Sequence, residues 1–148
     1  MNDFILYYLW YLKLIVVSCG IIRDNGLILI AQRNSTSSLE ANKWEFPGGK
    51  VEVLEDPKVC LIREIKEEMN IDIAISSLFD VVYQVYDLGA DKIHVILIAY
   101  LADFVKGDIA AIDCQNYKWV DPCELSGFDF VVADISLLNK YISSIKSI

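Results

Sequence analysis

The stretch GKVEVLEDPKVCLIREIKEEMNI, Gly49 to Ile71, holds a turn, a helix start, a helix and its stop. Asp56 suits an N-cap, and Pro57 suits the first helical position, where its missing N–H is no loss. The helix is predicted to run to about Met69. Asn70 then takes the left-handed conformation that closes it. At about 100° per residue, Leu61, Ile62, Ile65 and Met69 share one apolar arc that should face a core. Glu64, Glu67 and Glu68 fall on a second arc. Like charges at i, i+3 and i+4 destabilise a helix. Either solvent screens this stripe, or a divalent cation with a preference for carboxylate oxygen offsets it. Gly48-Gly49, read as a turn after the short strand Trp44–Phe46, favours the cation, because glycine lets backbone approach a ligand closely.

Outward from this segment, the chain reads as strands mixed with few helices. Leu14–Arg23 and Leu27–Gln32 are apolar and β-branched, and Asn25-Gly26 between them is a strong hairpin signal. Asn34 to Ser38 is a polar loop. Ile71–Tyr86 and Lys92–Val105 are long β-branched or aromatic runs, and Asn116–Val120 is a shorter one. Asp121-Pro122 opens a helical turn. Asp134 is placed as the N-cap of a last helix, from Ile135 to about Lys146, with Ile135, Leu138, Tyr141, Ile142 and Ile145 facing inward. Strands mix with two helices without regular βαβ alternation, which gives an α+β class.

Composition narrows the function. The 148 residues fit one domain, and 55% of them are hydrophobic, enough for a core. Twenty-one acids against thirteen bases give a net charge of −8. That argues against a nucleic-acid polymer as partner, but allows a small phosphorylated ligand if a cation supplies positive charge. Cys19, Cys60, Cys114 and Cys123 lack zinc-ligand spacing, and His94 is the single histidine, so reduced thiols in a cytoplasmic protein are expected.

The first residues are the least ordinary. Phe4 to Leu12 is an unbroken apolar run, and Lys13 separates it from Leu14–Val17. A membrane span needs about 18 or more apolar residues with few charges, which makes this a borderline candidate. The string V-V-S-C-G resembles a lipoprotein cleavage box, but no basic residue precedes Lys13. The favoured division is an apolar extension over 1–11 and one domain over 12–148.

Gly49 to Ile71 resembles the signature of the Nudix hydrolase family, G-x5-E-x7-R-E-U-x-E-E-x-G-U with U aliphatic. Gly49, Glu55, Arg63, Glu64, Ile65, Glu67, Glu68 and Ile71 hold the required positions, and Asn70 stands where the family has Gly. Leu54 also replaces a glycine common in that loop. ANKWEFPGGKVE, the preceding AQR and the late VVADISLL are similar to the MutT and CTP pyrophosphohydrolase branch.

The resemblance implies an α/β/α sandwich with a mixed sheet and the catalytic loop and helix on one side. It implies hydrolysis of a nucleoside triphosphate to the monophosphate and pyrophosphate, assisted by Mg²⁺ or Mn²⁺. The expected substrates are 8-oxo-dGTP, other modified nucleotides or cytosine nucleotides. Glu64, Glu67 and Glu68 would hold metal, one of them acting as general base, with the Gly48 carbonyl and Asp113 as further ligands. Glu55 would orient Arg63. Arg33, Phe46, Gly49, Lys50 and Asp134 would bind substrate: Arg33 at phosphate, Phe46 as a wall of the base pocket, Asp134 at the base edge. Asp113 also suits a solvated loop acid, Phe46 a core aromatic and Asp134 a helix cap. The protein would be a monomer or homodimer. A sugar nucleotide or dinucleoside polyphosphate as substrate, or a noncatalytic nucleotide-binding module, remain the alternatives.

Overall fold

The computed structural model describes residues 13–147. The extension expected over 1–11 lies outside the described residues. Among the described residues, seven strands form one sheet: β1 (Lys13–Asp24), β2 (Leu27–Gln32), β3 (Trp44–Glu45), β4 (Gly48–Lys50), β5 (Asp72–Asp87), β6 (Lys92–Lys106) and β7 (Asn116–Val120). The main path runs β3-β2-β1-β6-β5, with β4 paired to β1 and β7 to β2. β1 and β6 run parallel, from Lys13↔Ile93 to Arg23↔Asp103, and the other pairs are antiparallel. The sheet is therefore mixed. The β1–β2 hairpin turns through Asn25 and Gly26, both at positive φ, as the Asn-Gly signal requires.

Helices α1 (Pro57–Met69) and α2 (Val132–Lys146) cover opposite faces. Ile21, Ile28, Ile30, Leu97 and Ala99 pack toward α2 residues Leu137, Leu138 and Tyr141. On the other face, Ile22, Leu29, Ala31, Tyr100 and Ala102 pack with Leu61, Ile65 and Met69 of α1. Burial on both faces explains why β1, β2 and β6 read as continuous apolar runs rather than alternating ones. Among the described residues, no helix is long and apolar enough to cross a membrane.

Three expectations need correction. Gly48 and Gly49 are not a turn; they form β4, with Cys19↔Gly48 and Ser18↔Gly49 in register. A Cβ on Gly48 would stand 2.0 Å from the Ser18 carbonyl oxygen, so the missing side chain is what lets this strand form. In α1, Ile62 is exposed, and Cys60 takes the inward place. In α2, Ile135 is exposed, and the buried stripe is Ala133, Asp134, Leu137, Leu138 and Tyr141. The apolar content of both helices was right, but their rotation about the axis is set by the sheet they meet.

Candidate active site

Local chemistry fixes the ends of α1. The Asp56 carboxylate accepts the Lys58 and Val59 N–H groups at 2.7 and 3.4 Å, and Pro57 follows it. Asn70 adopts φ 58°, ψ 30°, and its N–H donates to the Lys66 carbonyl. Its side-chain amide donates to the Asp108 carbonyl at 3.1 Å, a contact glycine could not make. Leu54 also stands at positive φ, with its side chain fully in solvent. The loop after β6 hangs on the far end of α1: Ala110 and Ile112 donate their N–H groups to the Met69 and Glu68 carbonyls, which the helix leaves free. This brings Asp113 beside α1.

Arg63 is the hub of the acidic stripe. Its guanidinium makes a bidentate pair with Glu55, at 2.7 and 3.0 Å. One terminal nitrogen also reaches Glu64 at 2.9 Å and Glu67 at 3.1 Å. The Arg63 hydrogen bonds, with help from the Glu52 N–H, hold the Glu55 carboxyl down at about 2. Glu64 lies against Gly49 so closely that a Cβ there would be 2.2 Å from the Glu64 carboxyl carbon. Glu67 is exposed, while Glu64 and Glu68 are half-buried. Burial, then the charge of Glu64 and a hydrogen bond with it, push the Glu68 carboxyl up to about 8; Asp113 and Glu45 add to the effect.

A polar cavity of about 270 Å³ opens on this side, lined by Arg33, Asn34, Glu45, Gly48, Glu68 and Asp113, among others. Beside the Arg33 guanidinium, which is paired with Glu45, it offers the carboxylates of Glu68 and Asp113 and backbone carbonyls, the oxygen ligands that hard divalent cations take. Among the described residues, no three His, Cys, Asp or Glu side chains already converge as a metal cage. Gly48, Glu68 and Asp113 share the cavity, whereas Glu64 and Glu67 are turned to Arg63.

A second cavity, about 320 Å³, lies on the α2 face. Its walls include Phe46, Tyr86, Asp134, Gly49 and Lys50, together with Arg33, Glu45 and Gly48. These last three line both cavities, so the two spaces meet across the end of the sheet. Arg33 is engaged: it donates to the Leu39 carbonyl at 3.1 Å and to Glu45 at 2.9 Å. Phe46 is 2% exposed and packs at 5.3 Å from Phe130, so it is a core aromatic and a cavity wall at once.

Asp134 is not a helix cap. The helix begins at Val132, two residues earlier, behind Val131, which offers no side-chain cap. The first turn finds its acceptor elsewhere: Val132 N–H donates to Glu40, 92 positions away in sequence, at 2.8 Å. Asp134 is instead buried at 3% exposure, and its Oδ2 accepts the Phe46 N–H at 2.6 Å. Burial raises its carboxyl well above the ordinary value; the Phe46 N–H and Arg33 pull the other way, and Glu45 and Glu40 reinforce the rise.

Glu40, Glu45 and Tyr86 line the α2-face cavity and were not singled out from sequence. Glu45 carried a signal, an acid between Trp44 and Phe46 in an otherwise apolar strand. Burial raises its carboxyl, and Arg33 partly offsets that.

The fold thus sets a mixed sheet between two helices, with a glycine strand against an acidic helix. Residues 12–140 match the NUDIX domain model, and the chain belongs to the Nudix family. Hydrolases of this family generally depend on a divalent metal. The chain is 33% identical to the CTP pyrophosphohydrolase of Escherichia coli K12, over 89% of this chain and 94% of that protein. It is 30% identical to the 8-oxo-dGTP diphosphatase of the same organism, over 87% and 97%. The solution structure of the E. coli ORF135 protein aligns with TM-score 0.74 at 32% identity, covering 92% of this chain and 94% of that one. A MutT protein from Methanosarcina mazei Go1 aligns with TM-score 0.76 at 26% identity, over 90% and 96%.

Proposed function

We propose that this Nudix hydrolase cleaves nucleoside triphosphates to the monophosphate and pyrophosphate, with cytosine or oxidised guanine nucleotides as its preferred substrates. The observation that carries this reading is the pair of cavities joined at Arg33, Glu45 and Gly48. One side is polar and rich in carboxylates; the other has apolar walls and a buried carboxyl. A nucleotide has the same division, with a charged phosphate chain at one end and a flat base at the other. The names of the CTP and 8-oxo-dGTP hydrolysing relatives point to the same substrates.

The roles of the residues follow. Glu64 and Glu68, with Glu67, the Gly48 carbonyl and Asp113, would hold Mg²⁺ or Mn²⁺. Once bound, the cation offsets phosphate charge and makes water a better nucleophile at neutral pH. A carboxylate of the same group takes the proton that water loses as it attacks phosphorus. Arg63, oriented by Glu55, keeps Glu64 and Glu67 in place. Arg33, which lines both cavities, faces the phosphates, and Lys50 binds substrate from the wall of the α2-face cavity. Asp134 reads the base edge: one oxygen accepts the Phe46 N–H, and the remaining capacity of the carboxyl goes to the base. The four cysteines are free, which suits work in the cytoplasm on a freely diffusing nucleotide. We assign the catalytic domain to 12–148.

The test is a screen of (d)NTPs, oxidised (d)NTPs and nucleoside diphosphate conjugates with Mg²⁺ and Mn²⁺, with products resolved. Equal yields of monophosphate and pyrophosphate from a triphosphate are expected. Preferred cleavage of a sugar nucleotide or dinucleoside polyphosphate, or binding without turnover, would overturn the reading.

A further inference from the structure

Glu40 has no part in the chemistry just described, yet its environment is costly and specific. It lies in the 33–43 loop between β2 and β3, with φ at 49°. For a residue other than glycine, that left-handed conformation is strained. Its side chain is only 17% exposed. Oε1 accepts the Val132 N–H of the first turn of α2 at 2.8 Å, and Oε2 accepts the Tyr86 hydroxyl of β5 at 2.9 Å. The Lys43 ammonium stands 3.7 Å from Oε1. Two oxygens of one carboxylate thus tie together three walls of the α2-face cavity.

The placement of Asp134 depends on this tie. Its N–H bonds to the Val131 carbonyl at 3.0 Å, and it follows Val132 by two residues. Any shift of the first turn therefore moves the Asp134 backbone directly. A Ser, Thr or Asp at position 131 could have capped the helix locally. A remote carboxylate caps it equally well and also fixes the loop and β5 to the helix. Burial and the Glu40 bond push the Tyr86 phenol above its usual value, so it remains a neutral donor.

We propose that Glu40 is a positioning residue for base selection: it locks the 33–43 loop, β5 and the first turn of α2 into one frame and so sets where Asp134 meets the base. This rests on the reading of the α2-face cavity as the base pocket. The role belongs to geometry rather than to charge. A glutamine can fill it, with its carbonyl oxygen taking the Val132 N–H and its amide donating to a rotated Tyr86 hydroxyl.

The experiment measures kcat and KM for CTP, dCTP, GTP, dGTP, UTP and dTTP with Mg²⁺, and the melting temperature, for four variants. In Glu40→Ala the spread of kcat/KM between best and worst nucleotide should shrink about tenfold through KM, with kcat within about threefold of wild type. Glu40→Gln should restore the spread. Tyr86→Phe, which removes one donor, should shrink it about threefold, and this variant decides the matter should Glu40→Ala fail to fold. A Glu40→Ala protein that melts lower but keeps the full spread would reduce Glu40 to a structural staple and overturn the proposal. Asp134→Ala separates the two levels. A spread lost in Asp134→Ala but intact in Glu40→Ala overturns only the role of Glu40; a spread intact in both overturns the base pocket itself.

Discussion

The two faces of the sheet are built in opposite ways. On the α1 face, the arginine and the acids that bind it come from one continuous stretch, Glu52 to Glu67: helical spacing sets Glu67 against Arg63, Glu64 is its chain neighbour, and the loop just before the helix brings Glu52 and Glu55. On the α2 face, the cavity takes Arg33, Glu40, Phe46, Tyr86 and Asp134 from five separate places in the chain. The first face pairs four carboxylates, Glu52, Glu55, Glu64 and Glu67, with one guanidinium. The second hides one carboxyl and gives it a backbone N–H. Reaction chemistry is thus written locally, and substrate choice is assembled by tertiary packing.

The largest expected effect breaks the first face and spares the second. Glu64→Gln or Glu68→Gln should lower kcat by at least about 10²-fold, and chelator should abolish turnover, while the ranking of bases stays as in wild type. Pyrophosphate release measured across the nucleotide panel checks both halves of that statement.

Next comes the converse. Asp134→Ala should flatten a base preference of about ten- to a hundredfold in kcat/KM and leave metal dependence untouched. The protonation state of Asp134 then tunes the choice. Its raised value in the folded state keeps the neutral acid to higher pH than usual. A neutral carboxyl both donates and accepts, matching cytosine N3 and N4–H; an ionised one only accepts, matching the two donors of guanine. The cytosine-to-guanine ratio of kcat/KM should therefore fall as pH rises. Asp134→Asn, neutral throughout, should make that ratio flat.

The strand that joins the faces gives a smaller effect, on stability. Gly48→Ala forces β4 off β1 and should cost about 1–3 kcal/mol, read as a lower melting temperature. Glu55 supplies a pH signature for the first face. Its folded value of about 2 lies below the usual value of about 4.3, so its contribution is full above that and is lost as pH falls through about 2. Arg63→Gln should raise the Glu55 titration, followed by carboxyl NMR, toward the ordinary range, with the Glu52 N–H still holding it somewhat down. The smallest effect should be Asn70→Gly, within about 0.5 kcal/mol, because easier backbone geometry is set against loss of the Asp108 contact.

Much of the first face was legible in the sequence. Asp56, Pro57 and Asn70 mark the bounds of α1 by local rules, and Asn25-Gly26 marks the hairpin. Legibility failed where the partner is remote. β4 exists because two glycines let backbone close on β1, a contact invisible in the segment itself. Asp134 looked like a cap because the true acceptor, Glu40, sits 92 residues away. Tyr86 and Glu40 have no motif at all; only folding makes them neighbours.

The parallel pairing of β1 with β6 also sets a schedule for the newborn chain. The Arg23–Asp103 ion pair closes a separation of 80 residues. At about 5–20 residues per second, β1 waits roughly 4–16 s on the ribosome for its partner strand. Its early shelter is the β1–β2 hairpin, joined by a two-residue turn, so that hairpin is the part of the sheet able to form first. Substitutions that weaken Asn25-Gly26 should then lower the yield of folded protein during synthesis more than they lower the stability of the finished enzyme.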